Sequence, residues 1–197
     1  MNYNYDLPQD LHLLPEVKSQ SVSVVSHQES VNSLLDFSRF SNLKRLQRAC
    51  AYVLRFIKNI RIKTNNERQL GPLLVSELDE ALICLIKMVQ VQSFPLEYNS
   101  LINKLSVKFP ANLSSLNIFI DKQNVIRVGG RLEYSDEFSY NKKHPILLSS
   151  KHYFTLLLFR CEHIRLLHAG PQLLLAHIRD TYWPLGGRNL ARKVDIS

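Results

Sequence analysis

Cysteine is scarce in this chain. Cys50, Cys84 and Cys161 are the three present, an odd number set far apart in apolar surroundings. That argues against a disulfide framework and fits a reducing compartment. Long apolar runs are missing too: even Tyr153 to Phe159, interrupted only by Thr155, is too short to span a bilayer. The N-terminus, Met1-Asn2-Tyr3-Asn4-Tyr5-Asp6, has no basic region followed by an apolar one, so it does not read as a secretory signal. The expectation is an intracellular protein, cytoplasmic or nuclear, neither secreted nor membrane-bound. Enzyme signatures are also lacking. There is no Gly-rich phosphate loop, no G-x-S-x-G, no H-E-x-x-H and no C-x-x-C. Gly129-Gly130 follows a strand-like run but lacks the remaining spacing of a dinucleotide site. It reads as a strand-end turn, with a bulge or a positive φ.

Acidic residues are absent from one stretch. Between Arg39 and Lys63 there are eight basic residues and no acidic one, while the whole chain carries a formal charge of +8. The rest of the chain is therefore balanced. A concentrated basic stripe is the electrostatic footprint of a nucleic-acid partner, with Arg45, Arg48 and Arg55 as candidate contacts. The competing reading is a solvated helix face. What is plentiful is apolar side chain, at 45% of 197 residues against 21% charged. That is enough to bury a core in one or two domains and excludes a disordered polyelectrolyte.

The periodicity divides the chain. Residues 1–35, with Pro8, Pro15 and a Ser/Val-rich run, read as a tail or linker with one short strand at Val22 to Val25. Leu43, Leu46, Cys50, Val53, Ile57 and Ile60 recur at helical steps, with Ser41 or Asn42 as the cap. Thr64-Asn65-Asn66 and Gly71-Pro72 break that pattern. A second helix starts at Ser76, paired with Asp79 like a capping box, and buries Leu78, Leu82, Leu85 and Val89. Pro95 opens a third, shorter helix. After Pro110 the composition shifts to β-type runs, 116–120 and 125–128, joined by Asp121-Lys122-Gln123-Asn124 as a hairpin. Ile146 to Leu148 adds a third strand after Pro145. Ser149 or Ser150 then caps a helix to about Leu167, and Pro171 starts another, whose apolar side is Leu174, Ile178, Tyr182 and Trp183. Arg188 to Val194 begins a last helix.

The sharpest feature is His163-Ile164-Arg165-Leu166-Leu167-His168. Five positions are about 500° on an ideal helix, so the two imidazoles point about 140° apart. They can ligate one metal only if the helix ends near Leu167 and the chain turns at His168, a break for which Gly170-Pro171 is suited. Zinc takes nitrogen donors at about 2.0–2.1 Å and usually four ligands in structural sites, so the other two should be cysteines. Cys161 sits about 200° round the helix from His163 and reads as a small buried residue. His144 and His177 are further candidates; His177, alone in the second helix, reads as a surface or packing residue.

Several stretches together point to one family. They are Phe119-Ile120-Asp121, Ile126-Arg127-Val128-Gly129-Gly130-Arg131-Leu132, Lys143-His144-Pro145-Ile146-Leu147-Leu148, His163 with Leu167-His168-Ala169-Gly170-Pro171-Gln172, and Tyr182-Trp183-Pro184. Upstream, Arg39-Phe40-Ser41 and Ala51-Tyr52-Val53-Leu54-Arg55-Phe56-Ile57 fit the same pattern. From about Leu34 to Val194 the chain resembles the pol polyprotein of BEL/Pao-type LTR retrotransposons, from the connector after ribonuclease H into the integrase. The resemblance implies a small helical integrase module folded around zinc by two histidines and two cysteines, with His163 and His168 as the histidines. It also implies a structural role for His144, which matches a family position outside the ligand set. The family's C-x-x-C is expected shortly after Arg192-Lys193-Val194, where this chain reads Asp195-Ile196-Ser197. Neither those cysteines nor the catalytic carboxylates of the family stand in this sequence. The resemblance thus implies a non-catalytic piece that binds zinc weakly. With Trp183 packing the second helix against the first, Arg165, Arg179, Arg188, Arg192 and Lys193 are expected on a rim, a surface that in an intact integrase meets DNA phosphates or other integrase and pol subunits.

The expected fold is α+β and mostly helical. The expected segments are a tail at 1–35, a helical connector at 36–110, a small β-containing integrase extension at 111–148 and an incomplete zinc-binding domain at 149–197. Tyr182-Trp183 is expected to anchor the core of the last segment. Two other functions compete: part of an active integrase whose core lies elsewhere, and a host-adopted DNA-binding protein that uses the helical connector.

Overall fold

A computed structural model describes residues 36–62, 67–105, 109–129 and 138–195. The tail at 1–35, the strand expected at Val22 to Val25, Thr64-Asn65-Asn66 and Gly130 lie outside the described residues. The fold is α+β and mostly helical, as expected. Among the described residues no helix is long and apolar enough to cross a membrane.

Helix α1 spans Leu43–Arg61, and the Asn42 side chain accepts a hydrogen bond from the Lys44 N–H at its first turn. Its inward row is Leu43, Leu46, Cys50 and Ala51, packed on Ala81, Leu85, Ile86 and Val89 of α2, Val75–Ser93. The expected continuation of that row fails. Val53, Ile57 and Ile60 are 47%, 41% and 64% exposed. The inward row instead shifts to Leu54 and Arg55, because Arg55 is fastened to α2 and its approach. The start of α2 also differs from the expected Ser76–Asp79 pair. Its N-cap is Leu74, whose N–H donates to Glu77 Oε2 at 2.8 Å.

Pro95 opens α3, Pro95–Ile102, and a single turn, α4, covers Ala111–Ser114. The hairpin follows as β1, Ile118–Ile120, and β2, Ile126–Val128. Asp121 forms it: its Oδ1 accepts from the N–H groups of Gln123 and Val125, each at 2.9 Å. Gly129 does not have a positive φ, and Gly130, the other residue of the expected strand-end turn, lies outside the described residues. Asn117, at φ 46°, has its carbonyl oxygen 2.9 Å from where a Cβ on Gly129 would stand. After another single turn, α5 at Tyr140–Lys143, comes β3, Ile146–Ser149.

Two helices now intervene: α6, Tyr153–Arg165, and α7, Pro171–Arg179. The cap of α6 is His152, two positions beyond the nearer of the expected serines, Ser150. Its Nδ1 accepts from the Phe154 N–H at 3.1 Å, and burial lowers its pKa, which keeps that nitrogen free to accept. The chain then returns as β4, Tyr182–Leu185, parallel to β3, and ends in α8, Gly187–Asp195. The expected helical setting of Tyr182 and Trp183 is therefore corrected. They sit on an edge strand, where β-favouring aromatics fit and Pro184 costs no central ladder bond. The sheet order is β1-β2-β3-β4, antiparallel but for the last pair.

The core crosses the boundaries expected at 110/111 and 148/149. One cluster joins α1 and α2 to Val125, Ile146, Leu148 and Phe154, and Gln90 binds α2 to the sheet. Arg127 does similar work below the hairpin. It is 4% exposed and bonds Asp121 Oδ2 at 2.5 Å, Asn141 at 3.1 Å and the His144 carbonyl at 2.8 Å. A second cluster, with Phe159, Leu174, Ile178, Leu190 and Val194, packs α6, α7 and α8 into the small helical end of the molecule.

Candidate metal centre

The end of α6 explains how two histidines five positions apart meet. The helix stops at Arg165, and the Leu166 N–H donates to the Glu162 carbonyl at 2.9 Å. Leu167 and His168 then take left-handed conformations, φ 54° and 62°. The His168 N–H reaches back to the His163 carbonyl at 2.9 Å. This backbone hook swings the second imidazole over the first. His168 Nδ1 lies 3.1 Å from His163 Nε2, and the rings meet edge to face with centroids 4.8 Å apart. The break thus lies at Leu167-His168. Gly170 has an ordinary φ of −59° and caps α7, so Gly170-Pro171 starts the next helix and does not make the turn.

Two successive non-glycine residues in this region cost about 1–2 kcal/mol each. Leu167 gains no burial in return, being 88% exposed. The strain is therefore concentrated where the two rings converge.

The donor geometry fits a metal. Two nitrogens bound to one tetrahedral zinc at about 2.0–2.1 Å stand about 3.3 Å apart, against 3.1 Å between His163 Nε2 and His168 Nδ1. Without a metal, one nitrogen must carry a hydrogen and the other a lone pair. A cation replacing that proton needs only a small separation of the rings. The pair also sits at the C-terminal end of a 13-residue helix, where the carbonyl dipoles favour positive charge. His163 is buried and His168 exposed, so the corner opens to solvent on one side. His163 Nδ1 has no hydrogen-bond partner among the described residues, so the outer support common around metal histidines is not in place there.

Other candidate donors point elsewhere. Among the described residues no group of three or more His, Cys, Asp or Glu is placed to hold a metal ion. Cys161 packs against the first core, and burial pushes its thiol up. His177 lies 3.2 Å from Glu162 Oε2, linking α7 to α6. His144 stacks edge-on against Phe119 at 5.2 Å, under the hairpin.

The expected nucleic-acid contacts separate into different places. Arg45 and Arg48 are exposed on α1. Arg55 is not available, which corrects its assignment: it is 8% exposed and its guanidinium bonds Glu77 at 2.7 and 2.5 Å and the Gly71 and Pro72 carbonyls at 2.6 and 2.9 Å. This ion pair holds the Glu77 carboxyl down to about 2. Arg188 and Arg192 project from α8 into a cleft of about 790 Å³ beside α7, where Arg179 joins them. Among the described residues no carboxylate lines that cleft. Arg179 also lies over the Trp183 ring, 5.1 Å from its centroid, and Trp183 is half-buried against a further cluster of Phe94, Tyr98, Leu113, Ile126, Val128 and Leu147. Lys193 lines a different cleft, beside Ser150 and Gly186. The rim expected of Arg165, Arg179, Arg188, Arg192 and Lys193 is thus divided: the packing of α7 on α8 gathers Arg179, Arg188 and Arg192 in one cleft, while Arg165 lines another.

The chain matches no family model, no curated protein and no solved structure.

Proposed function

We propose that this chain is a non-catalytic, retrotransposon-derived piece of a pol polyprotein, built around an integrase-type zinc corner and associating with nucleic acid. The observation that carries the reading is the 3.1 Å approach of His163 Nε2 and His168 Nδ1, achieved at the expense of two left-handed residues. Those two nitrogens would hold zinc, which when bound cross-links the end of α6 to the turn leading into α7. Two donors leave two positions of a four-coordinate ion for ligands outside the pair, so zinc binding by this corner is weak.

The cleft of Arg179, Arg188 and Arg192 supplies the nucleic-acid side. Three guanidiniums and no carboxylate favour phosphate oxygens over base edges, so association is sequence-nonspecific. If each arginine neutralises one phosphate, log K falls against log salt with a slope of about −2.7. A host-adopted role centred on α1 draws less support, since Arg55 is internal and committed to Glu77.

Fluorescence anisotropy with a labelled DNA duplex, titrated across monovalent salt, tests the reading. Binding at low salt should weaken with that slope, and Arg188→Gln with Arg192→Gln should flatten it by about two. Binding that is absent at low salt, or unchanged in the double variant, would remove the nucleic-acid role.

A further inference from the structure

Helix α1 carries a second apolar row that nothing among the described residues covers. Val53, Phe56, Ile57 and Ile60 are 47%, 65%, 41% and 64% exposed. Their spacing gathers them within about 100° of arc, outside the row that packs on α2. Scattered exposed apolar residues need no explanation, but a continuous row at these steps is the anchor pattern by which a helix meets a partner.

The cations of α1 divide by face. On the side toward α2, Arg55 pairs with Glu77 and Lys58 with Glu80, both carboxylates from the first half of α2. Arg45 and Arg61 lie instead on opposite margins of the outer row, one near each end of the helix, and both are exposed. Neither forms an ion pair among the described residues, and α1 itself contains no carboxylate. The contact with α2 already shows what this helix accepts as a neighbour. It is a helix that meets the apolar row with apolar side chains and the cations with glutamates. The outer face repeats both requirements.

A second copy of the chain does not meet them. Antiparallel pairing of two α1 helices sets Arg45 of one against Arg61 of the other. Parallel pairing sets each arginine against itself. With no acidic residue on α1, nothing offsets the repulsion in either arrangement.

We propose that the outer face of α1 is a docking surface for an acidic amphipathic helix of a partner protein. The partner's apolar row covers Val53, Phe56, Ile57 and Ile60, and its carboxylates pair with Arg45 and Arg61. Phe56, aromatic and central in the row, is the main anchor. The arginines stand at the rim, so they choose the partner and speed its approach more than they tighten the complex. This face is separate from the histidine corner and the arginine cleft, neither of which includes a residue of α1.

The test uses the full chain and a fluorescein-labelled synthetic helix of about 18 residues, close to five turns. The peptide has leucines at the same spacing and glutamates on both margins. Fluorescence anisotropy should show saturable binding that weakens about tenfold or more in Phe56→Ser with Ile60→Ser. The thermal midpoint of that variant should move by no more than about 2 °C, because both side chains are exposed. The same peptide with lysine for every glutamate should bind about tenfold more weakly at low salt, and the gap should close as salt screens the margins. Arg45→Gln with Arg61→Gln should erase the preference between the two peptides. The proposal is overturned if the acidic peptide does not bind, if both peptides bind the unmutated chain equally, or if the Phe56 and Ile60 variant binds undiminished. Light scattering that shows a dimer abolished by that variant would assign the face to a second copy and overturn it too. So would binding to phosphatidylserine and phosphatidylcholine vesicles in place of the peptide.

Discussion

Replacing Gln90 by leucine should loosen α2 from the sheet that it supports. Gln90 is fully buried, and its amide makes three hydrogen bonds of 2.8 Å: Nε2 to the Ile126 and Leu147 carbonyls, and Oε1 from the Ile126 N–H. It stands where β2 and β3 part, since only Arg127 and Ile146 are in register between them. The side chain thus completes a ladder that the strands leave open. Leucine fills a similar volume but strands the N–H and weakens both carbonyls. A buried unsatisfied group costs about 1–3 kcal/mol, and each carbonyl keeps a second lone pair. A net loss of about 3 kcal/mol follows, which lowers the thermal midpoint by about 6–12 °C for a chain of this size. Urea unfolding followed by circular dichroism should show a lower midpoint with an unchanged slope. Gln90→Glu should be worse near neutrality than at mildly acidic pH, because only the protonated acid can donate to a carbonyl. A Gln90→Leu loss under about 0.5 kcal/mol would refute the reasoning, since it would mean these groups find other partners.

Three further outcomes are expected. Glu77 is held at about 2, below its ordinary 4.5, chiefly by its hydrogen bond from Arg55. Its stabilising contribution is complete above the ordinary value and lost as pH falls toward 2, so Glu77→Gln should flatten acid unfolding in that window. Burial pushes the Tyr182 phenol up to about 12 from 10. Native protein should keep one tyrosine un-ionised through pH 11 by ultraviolet titration, and Tyr182 contributes stability that is lost as pH rises between those two values. Leu167→Gly relieves a left-handed backbone without losing burial, so chemical denaturation should show a gain of about 0.5–1 kcal/mol; a loss would mean that the turn is not strained.

Much of the architecture was legible because its signals are local. Asn42, Pro95 and Pro171 start helices where their chemistry demands it, and Asp121 turns the hairpin. What escaped depends on residues far apart. β4 is four residues long, too short for a period, and exists because β3 offers an edge more than thirty positions earlier. Arg55 looked like part of a surface stripe because its partner, Glu77, lies on another helix. The histidine spacing was visible and demanded a break, but Leu167 and His168 give no sign of left-handed backbone, so Gly170 received the credit. Arg179, Arg188 and Arg192 were legible as rim residues, but which of the basic residues share one cleft depends on the packing of α7 on α8.

Nitrogen-15 spectra of the imidazoles during zinc titration examine the metal corner most directly. His163 Nε2 and His168 Nδ1 should take on the metal-bound shift together at modest affinity, with little gain in helix, and His168→Ala should abolish the response. Shifts confined to His144 or His177, or a tightly held ion with four ligands from this polypeptide, would contradict the account.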